Sequence, residues 1–183
     1  MERRIFAGLV ALGGTGWGLN EWLRGPVNSS RVLPASLLVA GFDSSGRSTG
    51  TAEMASIRRS DAEWKSALAV DQYMVTRRSD TELAFAGEYW NLHLNGLYRC
   101  VCCATALFDS QTKFNSGTGW PSFTEPIAKE NVRESVDYGF GVRTEVSCAR
   151  CGAHLGHVFE DGPPPTHRRY CMNSVALKFV ART

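Results

Sequence analysis

Two Cys-x-x-Cys turns, Cys100-x-x-Cys103 and Cys148-x-x-Cys151, stand 44 residues apart and constrain this chain more than any other feature. A two-residue spacer lets both thiolates of a tight turn reach one ion, and two such turns complete a tetrahedral four-sulfur site. Four protein ligands leave no position for substrate. The expected role of Cys100, Cys103, Cys148 and Cys151 is therefore to hold one structural Zn2+ that clips two distant hairpins together. Disulfides are the competing reading, but a Cys-x-x-Cys bridge closes a very short loop and stabilises little. His154 and His157 repeat the three-residue spacing beyond the second turn. A Cys148, Cys151, His154, His157 site would leave Cys100 and Cys103 without a role.

The first sixty residues differ from the rest. They carry seven Arg against four acidic residues, whereas residues 61–183 carry thirteen basic and fourteen acidic residues. A nearly neutral body argues against a nucleic-acid partner. Arg3 and Arg4 precede an uncharged, Gly-rich run over 5–20 that is too short for a membrane span, which needs about 20 apolar residues. Residues 1–25 read as a signal-like or anchor segment. Its paired arginines resemble a twin-arginine export signal, which implies a periplasmic protein; a membrane anchor and an organellar transit peptide are the alternatives. Residues 26–59, with DSSGRSTGT in them, have the composition of a flexible linker.

The folded domain is expected over 60–183. Ser60 and Glu63 have capping-box spacing, which predicts a helix over 61–69, with a second around 71–75. Short alternating runs over 97–100, 106–108, 132–138, 142–146 and 170–180 predict strands, separated by turn-rich pieces such as FNSGTGWPSF and EDGPPPTH. Helices first and strands later predict a mainly β domain with short N-terminal helices and a structural zinc site.

With four thiols assigned to metal, Cys102 and Cys171 remain. On a strand, Arg169, Cys171 and Asn173 share a face, and a guanidinium beside a thiol favours the nucleophilic thiolate. A free cysteine on a strand is otherwise a small buried hydrophobe.

The stretches GEYWNLHLNGLYRCVCCATALFDSQTKFNSGTGWPSF and EVSCARCGAHLGHVFEDGPPPTHRRYCMNS resemble the peptide methionine-R-sulfoxide reductases, over about residues 60–179. The resemblance implies a small domain of two antiparallel sheets, with zinc on Cys100, Cys103, Cys148 and Cys151 opposite the active site. It implies Cys171 as the nucleophile that attacks a sulfoxide sulfur and becomes a sulfenic acid. His154 and His157 match the positions that deliver a proton to the oxygen, with the donor left open between them, and Asn173 and Arg169 orient groups around them. Trp120 matches the residue whose indole receives the substrate methyl, and Phe159 lines the same pocket. Oxidised proteins or peptides are the implied substrates, a thioredoxin-like or other thiol the reductant, and a monomer the working form in repair after oxidative stress.

Two departures matter. Thr118 stands where many members of this family carry a resolving cysteine, and a threonine cannot condense with a sulfenic acid. Either an external thiol reduces Cys171 or Cys102 substitutes. His167 replaces a common Gly before the nucleophile. Two rival functions follow from the motifs alone: a zinc-ribbon binding module, and a zinc hydrolase using His154 and His157 as ligands, which would need an open coordination position.

Overall fold

The computed structural model describes residues 32–138 and 141–182. The expected signal-like segment over 1–25 lies outside the described residues. Two antiparallel sheets form the body. The larger has six strands in the order β5-β6-β10-β9-β8-β7 and the smaller three in the order β11-β3-β4. The chain supplies them as β3 (Gly96–Cys100), β4 (Ala106–Asp109), β5 (Lys113–Phe114), β6 (Ser122–Phe123), β7 (Val132–Asp137), β8 (Arg143–Cys148), β9 (His154–Phe159), β10 (Arg169–Met172) and β11 (Leu177–Ala181). No helix among the described residues is long and apolar enough to cross a membrane.

Alternation along the strands builds the core. Directly opposed residues of antiparallel strands share a face, so one row of the six-stranded sheet carries Phe123, Tyr170, Val158 and Thr144 in register. Its aromatic part packs onto the three-stranded sheet. Phe108 stacks on Phe123 with ring centroids 4.5 Å apart, Tyr98 meets Phe123 edge-on at 5.0 Å, and Phe108 lies 5.8 Å from Tyr170. Burying each such ring is worth roughly 1.5–3 kcal/mol, so the face presented by each residue of β6 and β10 is strongly determined.

Both helices form where the spacing predicts them. Helix α1 (Asp61–Ala67) begins on a capping box, in which the Glu63 N–H donates to Ser60 Oγ and the Ser60 N–H donates to the Glu63 carboxylate. Helix α2 (Val70–Arg78) extends further on both sides than the expected 71–75. Arg77 of α2 lies over the buried Trp64 ring at 4.6 Å and donates to the carbonyl of Cys151, tying the helices to the second cysteine turn.

Two expectations are corrected. The segment read as linker, 26–59, carries a β-hairpin, β1 (Ser36–Phe42) and β2 (Ser48–Ala55), which adds a third, two-stranded sheet. Its strands lack a strong alternating pattern, but long-range contacts hold it. The fully buried Asn131 donates from Nδ2 to the carbonyls of Ala40 and Ala106 and accepts the Ala40 N–H at Oδ1. Arg99 donates to the Phe42 carbonyl, and Leu33 packs on Gly152. The other correction concerns the strand predicted over 170–180. It breaks at Asn173, where a turn of 3-10 helix over Ser174–Ala176 carries the chain from β10 in one sheet to β11 in the other.

Asn131→Ala leaves buried backbone groups of two sheets without partners, each costing about 1–3 kcal/mol. We expect urea denaturation to show a loss of about 2–4 kcal/mol, and hydrogen exchange at Ala40 to accelerate more than at Tyr98.

Candidate active site and metal centre

The four cysteines of the two turns come together at the ends of β3 and β8. Their sulfurs lie within 4.8 Å of one another, paired across the turns: Cys100 to Cys151 at 3.6 Å and Cys103 to Cys148 at 3.5 Å. A tetrahedral Zn–S4 site with bonds of about 2.3 Å separates its sulfurs by about 3.8 Å, so this donor set fits such an ion closely. All six cysteines are free thiols, which answers the disulfide alternative. The neighbouring sulfurs, with burial, push the Cys100 thiol well above its ordinary range, because crowded thiolates repel one another without a cation between them. β3 belongs to the small sheet and β8 to the large one, so an ion held by the cluster would clip one sheet to the other. The mixed Cys148, Cys151, His154, His157 site does not form, and the four-cysteine group is the metal-capable cluster among the described residues.

Cys171 lies elsewhere, on the opposite face of the large sheet from the aromatic core. Its row reads Phe114, Ser122, Cys171, His157, Glu145, Ser135 across five strand pairings. Arg169, two residues back on β10, shares this face and sits opposite Phe159, with its guanidinium 4.4 Å over the Phe159 ring. Asp161 holds the guanidinium through two hydrogen bonds of 2.8 Å each.

His154 joins the same face by a bulge. β8 and β9 shift register between Val146 and Ser147, so that Gly156 faces Val146 while His154 faces Ser147. The extra residue on β9, Leu155, returns His154 to the side that simple alternation would deny it. The two imidazoles meet edge to face with centroids 5.3 Å apart. His154 Nδ1 lies 2.7 Å from Glu145 and His157 Nε2 lies 2.9 Å from Asp137. A carboxylate only accepts, which assigns a proton to the ring nitrogen that faces it and, in a neutral His157, leaves Nδ1 bare. His154 Nε2 is buried without a hydrogen-bond partner. Gly156 is required by contact: a Cβ there would collide with the carbonyl oxygen of Cys171.

Electrostatics at the thiol differ from the sequence expectation. Burial pushes Cys171 up, and the lowering influences of Arg169, Thr118 and Ser122 do not overcome it. The guanidinium acts in the expected direction, but desolvation is larger, so the resting group is a thiol. Burial also holds His157 below the usual histidine range, against the opposing influence of Asp137, which keeps its imidazole neutral near pH 7 and able to accept a proton.

Asn173 continues the strand pairing past β10, its N–H donating to the Leu155 carbonyl. It sits beyond the end of β10, buried, with Nδ2 donating to the Leu155 carbonyl and Oδ1 accepting the Glu82 N–H. Trp120 is half-buried, and its indole N–H donates to the Glu82 carbonyl at 3.1 Å. The preceding Gly119, at φ +89, brings its backbone against Phe85, whose N–H donates to the Gly119 carbonyl; a side chain at 119 would meet that nitrogen. Glu82 went unnoticed in the sequence. Besides its bonds to Asn173 and Trp120, its carboxylate accepts the N–H groups of Ser174 and Val175 at 2.7 and 3.0 Å. One residue thus ties the exit of β10 to the indole. Asp137, Glu145 and Asp161 were also missed, since only strand register reveals which cation each faces.

The spare thiol, Cys102, donates to Thr76 Oγ1 of α2 at 3.5 Å, beside the cysteine cluster. Its neighbours are Cys100, Cys151, Thr76 and Arg77, whereas those of Cys171 are Arg169, Thr118 and Ser122.

The SelR domain matches residues 68–181. The chain belongs to the SelR family. It is 58% identical over 124 residues to a protein of Arabidopsis thaliana named peptide methionine sulfoxide reductase B1, chloroplastic, covering 67% of this chain and 61% of that one. A protein of Thiobacillus denitrificans named peptide methionine sulfoxide reductase MsrB is 55% identical over 122 residues, covering 66% of this chain and 92% of its own length. One of the same name from Pseudomonas fluorescens is 52% identical over 130 residues and covered throughout. The match spans about three-fifths of the length of the two plant relatives, 61% and 56%.

Two outcomes follow for this SelR domain. Cys148→Ser, which removes one sulfur of the cluster, is expected to lose the bound metal by elemental analysis, whereas Cys171→Ser retains it. Alkylation of Cys171 by iodoacetamide should rise with pH through a midpoint above that of an exposed cysteine. Arg169→Gln, which removes a lowering influence, should move that midpoint further up.

Proposed function

We propose that this chain is a peptide-methionine (R)-S-oxide reductase, returning methionine-R-sulfoxide in oxidised proteins or peptides to methionine. The observation that carries this reading is the row Ser122, Cys171, His157: a free thiol outside the metal cluster, opposite a neutral imidazole and beside a guanidinium, on the face away from the core. Membership in the SelR family and the names of the relatives support it.

In this reading His157 takes the Cys171 proton, and the thiolate attacks the sulfoxide sulfur while that proton passes to the sulfoxide oxygen. The oxygen leaves methionine and ends on Cys171 as a sulfenic acid, so the methionine sulfur is reduced by two electrons and the cysteine sulfur oxidised by two. A first external thiol condenses with the sulfenic acid, releasing water and forming a mixed disulfide. A second releases Cys171 as the thiol. The net change converts one sulfoxide and two thiols into one thioether, one disulfide and one water. The indole face of Trp120 receives the S-methyl group, a contact worth roughly 0.3–1.5 kcal/mol, and Phe159 lines the same pocket. Glu145 and Asp137 orient the two imidazoles. Arg169 and Asn173 orient groups around the sulfur.

Zinc on Cys100, Cys103, Cys148 and Cys151 is structural in this reading and supplies folding energy rather than chemistry. The contacts of Cys102 beside the cluster support its exclusion from recycling, which leaves a thioredoxin-like or other external thiol as reductant. The reductase domain, proposed over 60–183 and acting as a monomer, follows a leader that directs export to the periplasm. The chloroplast location in the name of the Arabidopsis relative supports the organellar alternative.

The test is incubation with separated R and S sulfoxide peptides and a dithiol. Only the R peptide should be consumed, and Cys171→Ser should be inactive yet carry one zinc per chain. Consumption of the S peptide, or turnover by the Cys171→Ser protein, would overturn the reading. One equivalent of R-sulfoxide without reductant should add a single oxygen at Cys171 by mass spectrometry, and no Cys102–Cys171 disulfide.

A further inference from the structure

We infer that the Thr118 hydroxyl is a hydrogen-bond donor to the ionised sulfur of Cys171, held in that role by a chain of hydroxyls through Ser116 and Ser122. The inference rests on Cys171 being the reacting sulfur, and it gives position 118 a catalytic task of its own rather than a missing one.

The chain has a fixed end. Ser122 Oγ donates to the carbonyl oxygen of Trp120 at 3.2 Å, and a carbonyl only accepts. Ser116 Oγ lies 2.7 Å from Ser122 Oγ and 2.8 Å from Thr118 Oγ1. While the Ser122 proton rests on the carbonyl rather than on Cys171, whose thiolate it also favours, the short contact between the serines uses the Ser116 proton. Ser116 then offers only lone pairs, one of which accepts the Thr118 N–H at 3.4 Å. In the resting thiol the 2.8 Å contact between Ser116 and Thr118 then uses the Thr118 proton, and the Thr118 oxygen also lies 3.9 Å from Cys171 Sγ, within reach for a hydrogen bond to sulfur once that sulfur is ionised. An anionic sulfur draws that proton more strongly than a neutral Ser116 oxygen does.

The need for such a donor is clear from the surroundings of the thiol. Burial disfavours the thiolate, and the guanidinium of Arg169 is shared with Asp161. Ser122 of β6 is the other group beside the sulfur, and opposite Cys171 in register on β9 stands His157, with Asp137, Arg143 and His154 around its ring. While His157 is neutral its bare nitrogen cannot donate to a thiolate, and once protonated it passes that proton on to the sulfoxide oxygen. A threonine has nothing to titrate near neutral pH, and it can stabilise the anion without competing for its proton.

The experiment is the pH dependence of Cys171 alkylation by iodoacetamide on the zinc-loaded full chain, with Cys102→Ser present throughout so that one thiol outside the metal cluster is read. No sulfoxide is involved, so the result stands or falls apart from the reductase reading. Thr118→Val, of the same shape without the hydroxyl, should raise the midpoint by roughly half a unit to one unit, and Thr118→Ala should do the same. Thr118→Ser should restore the parent midpoint to within about 0.2 units. Arg169, Asp161 and both histidines are untouched in all three. Should either Val or Ala leave the midpoint in place, or Ser fail to restore it, the inference is overturned. Thr118→Ala introduces no new atoms, so its midpoint alone decides if the valine variant does not accumulate folded.

Discussion

The pleat of the six-stranded sheet is the constraint on which the site depends. Phe123 and Tyr170 are pulled into the core by stacking and edge-on contacts with Phe108 and Tyr98. Their neighbours Ser122 and Cys171 have only the other face to occupy, because successive side chains on a strand point to opposite sides. A slip of one residue in β10 would bury the thiol among aromatics and expose Tyr170, at a cost of several kcal/mol. Aromatic packing thus aims the Cys171 sulfur at the face away from the core.

The six cysteines divide by position into three situations. Four lie at the ends of β3 and β8, where two turns converge and a bound cation would relieve the repulsion of crowded thiolates. Cys102 lies inside the first turn but leans on α2 through Thr76. Cys171 lies mid-strand on the far face, raised by burial and surrounded by groups that each relieve part of that cost. The same side chain thus meets three environments, set by how many sulfurs share the space and which donors face them. Glu82 links Trp120 to the backbone beyond Cys171: through one residue, the indole, Asn173 and the first turn after β10 are held together.

Local signals were legible where the determinants are local. The Ser60 and Glu63 capping box produced α1 where expected, and the alternating runs near 97, 106, 132 and 142 became β3, β4, β7 and β8. The hairpin over 36–55 was not legible, because β2 is exposed nearly throughout and the pair is held by Asn131, about ninety residues away. The break at Asn173 was hidden for a related reason. Apolar alternation continues across it in the sequence, but the residues before it belong to one sheet and those after it to the other.

The sequence by itself determined the inventory of chemistry: four cysteines at metal spacing, one cysteine left over beside an arginine, two histidines three apart, and a threonine where a thiol could have been. Spacing within a turn is short-range geometry, so it survives folding unchanged. Tertiary structure decided what these groups do to one another. The bulge at Leu155 put both imidazoles on the face of Cys171, the strand register gave each its carboxylate, and burial outweighed the guanidinium at the thiol. These outcomes depend on which strands lie side by side and how much solvent they exclude. No local run of residues encodes either quantity.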